Sequence, residues 1–107
     1  MFKLKKENVV WWPIVISQPA DEGKVDEFEC DVQYEILPQD EYDELSAKGD
    51  TALLMRVVRN WRGLGDDKGE NLTTDDDSKK AMFAFGFVRT SFLKGYWSCC
   101  SGAPAKN

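Results

Sequence analysis

The clearest pattern in the chain is an alternation of apolar and polar residues over residues 28–36. Apolar side chains take every second position, which predicts a β-strand with one buried and one charged face. The preceding apolar run, residues 9–16, is rich in β-branched and aromatic residues and is followed by a turn-forming stretch at 18–23. We therefore predict an antiparallel hairpin whose first strand lies at a sheet edge, because Pro13 has no amide hydrogen to donate. Residues 2–5 are compatible with a third short strand.

Helical spacing dominates the rest of the chain. Residues 39–48 predict a short acidic helix, and Gly49 ends it. Apolar residues within 50–62 recur at i, i+3, i+4 and i+7, which predicts a second helix that Gly63 stops. A last helix is predicted from the Thr- and Asp-rich start of the segment 73–97. Because an isolated hairpin is marginally stable in water, we expect the helices to cover its apolar face.

These elements predict an α+β fold, with an N-terminal antiparallel hairpin or small sheet followed by about three helices packed on one face. A chain of 107 residues has enough material for one modest core and not for two. We therefore predict a single domain over residues 1–98. Residues 99–107 are small and polar after the paired cysteines, and we expect a flexible C-terminal tail.

The last predicted helix carries more apolar residues than one packed face requires. One stripe suffices to pack on a small sheet, and it comprises Ala81, Phe85, Val88, Phe92 and Tyr96. Phe83 and Phe87 then lie on a neighbouring face, where exposing two phenylalanines forgoes about 3 to 6 kcal/mol of burial. We predict self-association through this helix at Phe83 and Phe87, and the same surface is then available to a different partner chain, for which Phe83, Phe87 and Tyr96 are the predicted apolar contacts. The alternative is that the other elements bury both phenylalanine rings.

The amino-acid composition limits the kinds of catalysis and metal binding that the chain can support. The chain has no histidine, so it lacks the commonest general base, the commonest metal ligand and the usual activator of serine and cysteine nucleophiles. Its three cysteines form no C-x-x-C pair, and their odd number favours a reduced, intracellular setting. Three consecutive aspartates at 75–77 suit the start of a helix better than a metal site. We expect no enzyme activity, no cofactor and no metal.

Charge narrows the choice of partners. Nineteen acidic and fourteen basic residues give a net charge of −5, and the acids concentrate in residues 20–45. An acidic chain repels a phosphate backbone, so we expect no nucleic-acid partner. No run of 18 apolar residues exists, so we expect no membrane partner either. The acidic stretch is either a solvated face or a docking surface for a basic partner.

A series of motifs extends from Phe2 to Trp97 in a defined order. The motifs are Phe2-Lys3-Leu4-Lys5-Lys6, an apolar strand with Val10, Trp12 and Ile14, the turn from Pro19 to Gly23, the alternating strand from Phe28 to Ile36, the segment Val57-Val58-Arg59-Asn60-Trp61-Arg62-Gly63-Leu64, the turn Asp66-Asp67-Lys68-Gly69, and Thr73-Thr74-Asp75. This order resembles that of the small tail assembly chaperones of long-tailed bacteriophages and prophages. The part from Trp61 to Gly69 is the most specific. The aromatic-rich last helix and the cysteine pair depart from the family pattern.

The resemblance implies a non-enzymatic protein that binds the long, helical tape measure protein and keeps it soluble until tail tube subunits polymerise around it. It also implies the tail tube protein as a second partner, a place in the cytoplasm of the bacterial host, and absence from the mature virion. The family motif includes Val57, Val58, Trp61, Gly63 and Gly69, and we expect the first three side chains to pack in the core.

A structural virion protein is the alternative function. A tail completion or head-to-tail joining subunit could share the small α+β architecture and the surplus apolar surface.

Overall fold

The computed structural model describes residues 1–103 and contains a three-stranded antiparallel sheet. Strands β1 (Asn8–Pro19) and β2 (Val25–Ile36) form a hairpin, closed by a 3₁₀ turn at Asp21–Gly23. Strand β3 (Val58–Arg62) pairs with the other side of β2, giving the order β1-β2-β3. The predicted hairpin is confirmed, as is the place of Pro13 on an edge strand.

Within the described residues, four α-helices complete the fold: α1 (Gln39–Ala47), α2 (Asp50–Val57), α3 (Asp76–Phe83) and α4 (Gly86–Ser101). The predicted α+β class is therefore confirmed, with four helices in place of about three. Residues 2–5 form no strand. No helix in residues 1–103 combines the length and the apolar character needed to cross a membrane.

One face of the sheet and the inner sides of the helices build a single core. The sheet and the turn after β2 contribute Ile14, Ile16, Cys30, Val32, Tyr34 and Leu37, while α2 and β3 contribute Leu53, Leu54, Val57, Val58 and Trp61, and α3 and α4 contribute Phe83, Val88, Phe92, Leu93, Tyr96 and Cys99. Strand β3 pairs with β2 from Asp31 to Tyr34, so the part of the hairpin between Asp31 and the turn lies beyond the end of β3. Beyond that point Phe28, on the core-facing side of β2, is exposed.

Helix α4 approaches the sheet most closely at Gly95. A Cβ atom placed on this glycine would lie 2.3 Å from Ile14 Cγ2 and 2.8 Å from the Tyr34 hydroxyl oxygen. The Tyr34 hydroxyl also donates a hydrogen bond of 2.8 Å to the Phe92 carbonyl. Glycine at residue 95 therefore permits the helix to sit against β1 and β2 with no intervening side chain.

The predicted second helix is wrong over its last turn. The helix ends at Val57, and Val58–Arg62 is strand β3. A register irregularity lies beside Gln33, where Asn60 pairs with Gln33 but Val58 pairs with Tyr34. This β-bulge turns Val58 and Trp61 to the same face although they are three residues apart. The three-residue spacing of Val58 and Trp61, which is typical of a helix, is here the result of a bulged strand.

The predicted single last helix is also wrong, because the chain breaks between α3 and α4. Phe85 has extended backbone angles, φ −98° and ψ 130°, and the guanidinium of Arg89 donates a 2.7 Å hydrogen bond to the Phe83 carbonyl at the end of α3. The break places Phe83 in the core and Phe85 on the surface, the reverse of what a continuous helix predicts. Phe83 is 1% exposed and packs edge-on against Phe92, whereas Phe85 is 60% exposed.

The predicted tail begins too early. Helix α4 continues through residues 99–101, and the Cys99 side chain is buried in the core. Cys100 is exposed. The rest of the predicted tail, residues 104–107, lies outside the described residues.

Glu35 is the buried exception on the otherwise solvent-exposed face of the sheet. Its carboxylate accepts two hydrogen bonds of 3.0 Å from Arg56 and a further one from Arg59. Hydrogen bonding to Arg56 holds the pKa of Glu35 below its usual range. These contacts join α2 and β3 to β2.

Candidate functional site

An aromatic cleft lies between helix α1 and the C-terminal end of α4. Its volume of about 510 Å³ falls within the range of about 300 to 1,000 Å³ that is common for binding pockets. The cleft opens to solvent, so it can accept side chains from a partner chain. It is lined by Ile36, Leu37, Gln39, Tyr42, Tyr96, Trp97, Cys100 and Ser101.

The floor of the cleft is held rigidly by Tyr96. The Tyr96 hydroxyl donates to the Glu35 carbonyl and accepts from the Leu37 amide, both at 3.1 Å. These two bonds tie α4 to the end of β2 and to the turn that leads into α1. The ring of Tyr42 stacks on that of Tyr96, with centroids 6.2 Å apart and planes 7° apart.

Trp97 forms the exposed wall of the cleft. Its side chain is 52% exposed, and its indole nitrogen donates a 2.9 Å hydrogen bond to the Tyr42 hydroxyl oxygen. This bond fixes the ring orientation while about half of the side chain remains accessible to a partner. Tryptophan and tyrosine in such settings are the residues that most often dominate the free energy of protein association.

The cleft lining within residues 1–103 has no charged residue, and helix α1 beside it is acidic. Helix α1 carries four acids and no lysine or arginine. Asp43 lies at the rim, where its carboxylate accepts a 2.8 Å hydrogen bond from the lining residue Gln39. Within residues 1–103, Asp43 and Glu44 form no ion pair, whereas Glu41 pairs with Arg56 at 3.2 Å. The site therefore suits apolar side chains accompanied by positive charge.

The three predicted partner contacts have different positions. Phe83 belongs to the core, so its prediction as a surface contact is wrong. Phe87 is half-buried at the start of α4, beside the exposed ring of Phe85 at a centroid distance of 6.0 Å. Tyr96 is buried but forms the cleft floor. Phe87 and Tyr96 are nine residues apart on one helix, about 13 Å along its axis, and only Tyr96 belongs to the cleft.

The family-motif residues lie outside the cleft lining. Val57, Val58 and Trp61 are buried in the core, and the Trp61 indole donates 2.8 Å to the Leu72 carbonyl. Gly63 and Gly69 adopt positive φ angles of 80° and 79°, a conformation that side chains disfavour. Gly63 follows β3 and Gly69 closes a turn with Asp66. These residues support the fold.

Sequence reasoning missed Trp97 and Tyr42 as site residues. The available signal was Trp97 itself, which immediately follows Tyr96 and does not belong to the predicted packed stripe. Tyr42 lies within the predicted acidic helix at 39–48, and nothing in its spacing marks it as a site residue. Their proximity depends on how α1 folds back on α4, and residue spacing does not contain that information.

Burial and hydrogen bonding shift the pKa values of three buried titratable groups in the described region. Burial raises the pKa of Cys30 and of Cys99 to about 11, so both thiols stay protonated at neutral pH. The buried carboxylate, Glu35, has a lowered pKa, the opposite of what a general acid requires. Among residues 1–103 no group of three or more metal-ligating side chains could hold an ion.

No family model, curated protein or solved structure matches the chain. The resemblance to tail assembly chaperones therefore rests on the order of motifs in the sequence.

Proposed function

We propose that the protein is a non-enzymatic tail assembly chaperone that binds the tape measure protein and keeps it soluble for tail tube polymerisation. The observation that carries the binding role is the cleft, with Trp97 half-exposed above a floor fixed by Tyr96. The choice of client follows from the order of motifs from Phe2 to Trp97, which resembles that of tail assembly chaperones. The chaperone acts in the cytoplasm of the bacterial host and does not remain in the mature virion.

The chemistry of the cleft suits a helical client. An amphipathic helix presents apolar side chains at i, i+3, i+4 and i+7, and such side chains insert into hydrophobic grooves. Tyr42 and Trp97 provide the apolar surface, and the acids of α1 attract lysine and arginine residues that flank the apolar stripe of the client. Tyr96 fixes the floor, which lowers the entropy cost of ordering the site.

Co-expression with the tape measure protein of the same genome tests this function. We expect a complex on affinity purification and a larger soluble fraction of the tape measure protein. Absence of both would contradict the proposed function. A paired purification with the tail tube protein tests the second expected partner.

Mass spectrometry of purified particles separates the chaperone from a structural virion protein. A chaperone is released before the particle matures, so its peptides should be absent from virions. Stoichiometric peptides in virions would favour a tail completion or head-to-tail joining subunit.

A further inference from the structure

The N-terminal arm, residues 1–7, stands free of the domain. It forms no helix or strand, and Phe2 and Leu4 are 87% and 86% exposed. Three lysines accompany these apolar side chains, so the arm alternates apolar and basic residues. Phenylalanine and leucine side chains exposed this fully offer apolar surface that a partner can bury.

The arm leaves the domain beside the aromatic cleft. Asn8, the first residue of β1, pairs with Ile36, which lines the cleft. The six Cα-to-Cα steps from Phe2 to Asn8 span about 20 Å when the arm is extended. The arm therefore starts at the cleft mouth and reaches well beyond it.

The arm and the cleft are complementary in chemistry. The cleft offers Tyr42 and Trp97 for apolar side chains. Helix α1 offers the exposed carboxylates of Asp43, at the rim, and of Glu44, the next residue along the helix, and neither forms an ion pair within residues 1–103. The arm offers Phe2 and Leu4 with lysines on either side. An apolar and basic segment is what the uncharged lining and acidic rim accept.

We propose that two copies of this chain exchange their N-terminal arms, each arm lying in the aromatic cleft of the other copy. Because each chain provides one arm and one cleft, the exchange closes with two-fold symmetry. The contact surface of this association is the cleft. It is not the helix face at Phe83, because Phe83 lies in the core. The arm exchange rests on the proposed function in one respect, since the tape measure protein would compete with the arm for the same cleft.

The second copy is favoured over the chain's own arm as occupant. The arm's own cleft lies within its reach, yet Phe2 and Leu4 remain exposed in the single chain. Because Asn8 is held against the lining residue Ile36, an extended arm carries Phe2 away from its own cleft, and the arm would have to reverse its direction to fill that cleft. An arm from a facing copy can enter extended, without that reversal.

Charge reversal tests the exchange on the full-length protein. Light scattering should give a dimer for the wild type, and a monomer both for Lys3→Glu with Lys5→Glu and for Asp43→Lys with Glu44→Lys. Combining all four substitutions should restore the dimer, since the attraction is then reversed but intact. The control variant, Lys68→Glu with Lys80→Glu, changes the net charge by the same amount as the two arm substitutions but at positions outside the arm and the cleft. It should stay dimeric. Circular dichroism checks that every variant is folded.

A cysteine crosslink identifies the occupant of the cleft. Cys100 lines the cleft and is exposed, so Leu4→Cys should form a disulfide with it when treated with oxidised glutathione. We expect disulfide-linked dimers on non-reducing gels, lost when Cys100→Ser is added. A disulfide within one chain would overturn the exchange in favour of the chain's own arm. A wild type that stays monomeric at the highest attainable concentration would also overturn it.

Failure of the arm exchange is distinguishable from failure of the chaperone function. If the wild type is monomeric but binds the tape measure protein, only the exchange is wrong. If the dimer forms and dissociates on charge reversal while no variant binds the tape measure protein, the exchange stands and the client is wrong.

Discussion

The two sides of helix α4 differ in how tightly their neighbours constrain them. On the sheet side, Gly95 sits against Ile14 and Tyr34 with no space for a methyl group. On the cleft side, Trp97 is half-exposed and makes one hydrogen bond, to Tyr42. The sheet side can change only at a cost in folding free energy, whereas the cleft side is available for a partner. Substitutions should therefore separate stability from binding along this one helix.

The largest expected contrast in stability is between Phe83 and Phe85, two residues apart at the α3–α4 junction. Phe83→Ala should lower the free energy of unfolding by about 3 to 5 kcal/mol because it leaves a cavity beside Phe92. Phe85→Ala should change it by about 0.5 kcal/mol or less because the ring is exposed. Urea unfolding of both variants measures the difference. Equal losses would contradict the break between α3 and α4.

The constraint on the sheet side is tested by a pair of glycines in α4. Gly95→Ala should destabilise the fold by about 1 to 3 kcal/mol, because the new methyl group overlaps Ile14 and Tyr34. Gly86→Ala is the matched control, since its nearest neighbour would be the flexible Arg89 side chain at 3.7 Å. That variant should be neutral or slightly more stable in thermal unfolding. A Gly95→Ala variant as stable as the wild type would refute the close contact.

Glu35 connects the cleft to the open face of the sheet and gives stability a pH dependence. Its carbonyl accepts from Tyr96, while its carboxylate binds Arg56 and Arg59. Because folding lowers its pKa from a usual value of 4.5, this contribution is complete above that pH and is lost as the pH falls through the folded-state pKa.

Glu35→Gln should therefore cost about 1 to 2 kcal/mol at pH 7, a figure reduced because both arginines are partly exposed. The variant should also lose less stability than the wild type between neutral pH and pH values below 4.5. Parallel acid-unfolding curves of the two proteins would contradict the ion pair.

The hairpin was more predictable from sequence than the rest of the fold. The alternation at 28–36 and the position of Pro13 depend on neighbouring residues, and both strands of the hairpin formed as expected. The spacing of Val57, Val58 and Trp61 was ambiguous, because a bulged strand and a helix turn these side chains to one face equally well. Tertiary pairing of β3 with β2 decided in favour of the strand.

The candidate site was less predictable because it joins distant segments. Tyr42 and Trp97 are 55 residues apart in sequence, and only the packing of α1 on α4 brings them together. The misplaced partner contact at Phe83 has a local cause. A continuous helix assigns Phe85 to the core and Phe83 to the surface, and two extended backbone angles at Phe85 reverse that assignment.

The affinity of the tape measure protein for two tryptophan variants tests the central claim most directly. Trp97→Ser removes the cleft wall, whereas Trp11→Ser removes a partly exposed tryptophan that lies under Arg62 on the open face of the sheet. Both should remain folded, with melting temperatures near that of the wild type. We predict that Trp97→Ser weakens binding by about tenfold or more, the effect of losing a central aromatic contact, and that Trp11→Ser binds as the wild type does. Unchanged affinity for Trp97→Ser would contradict the assignment of the cleft as the client site.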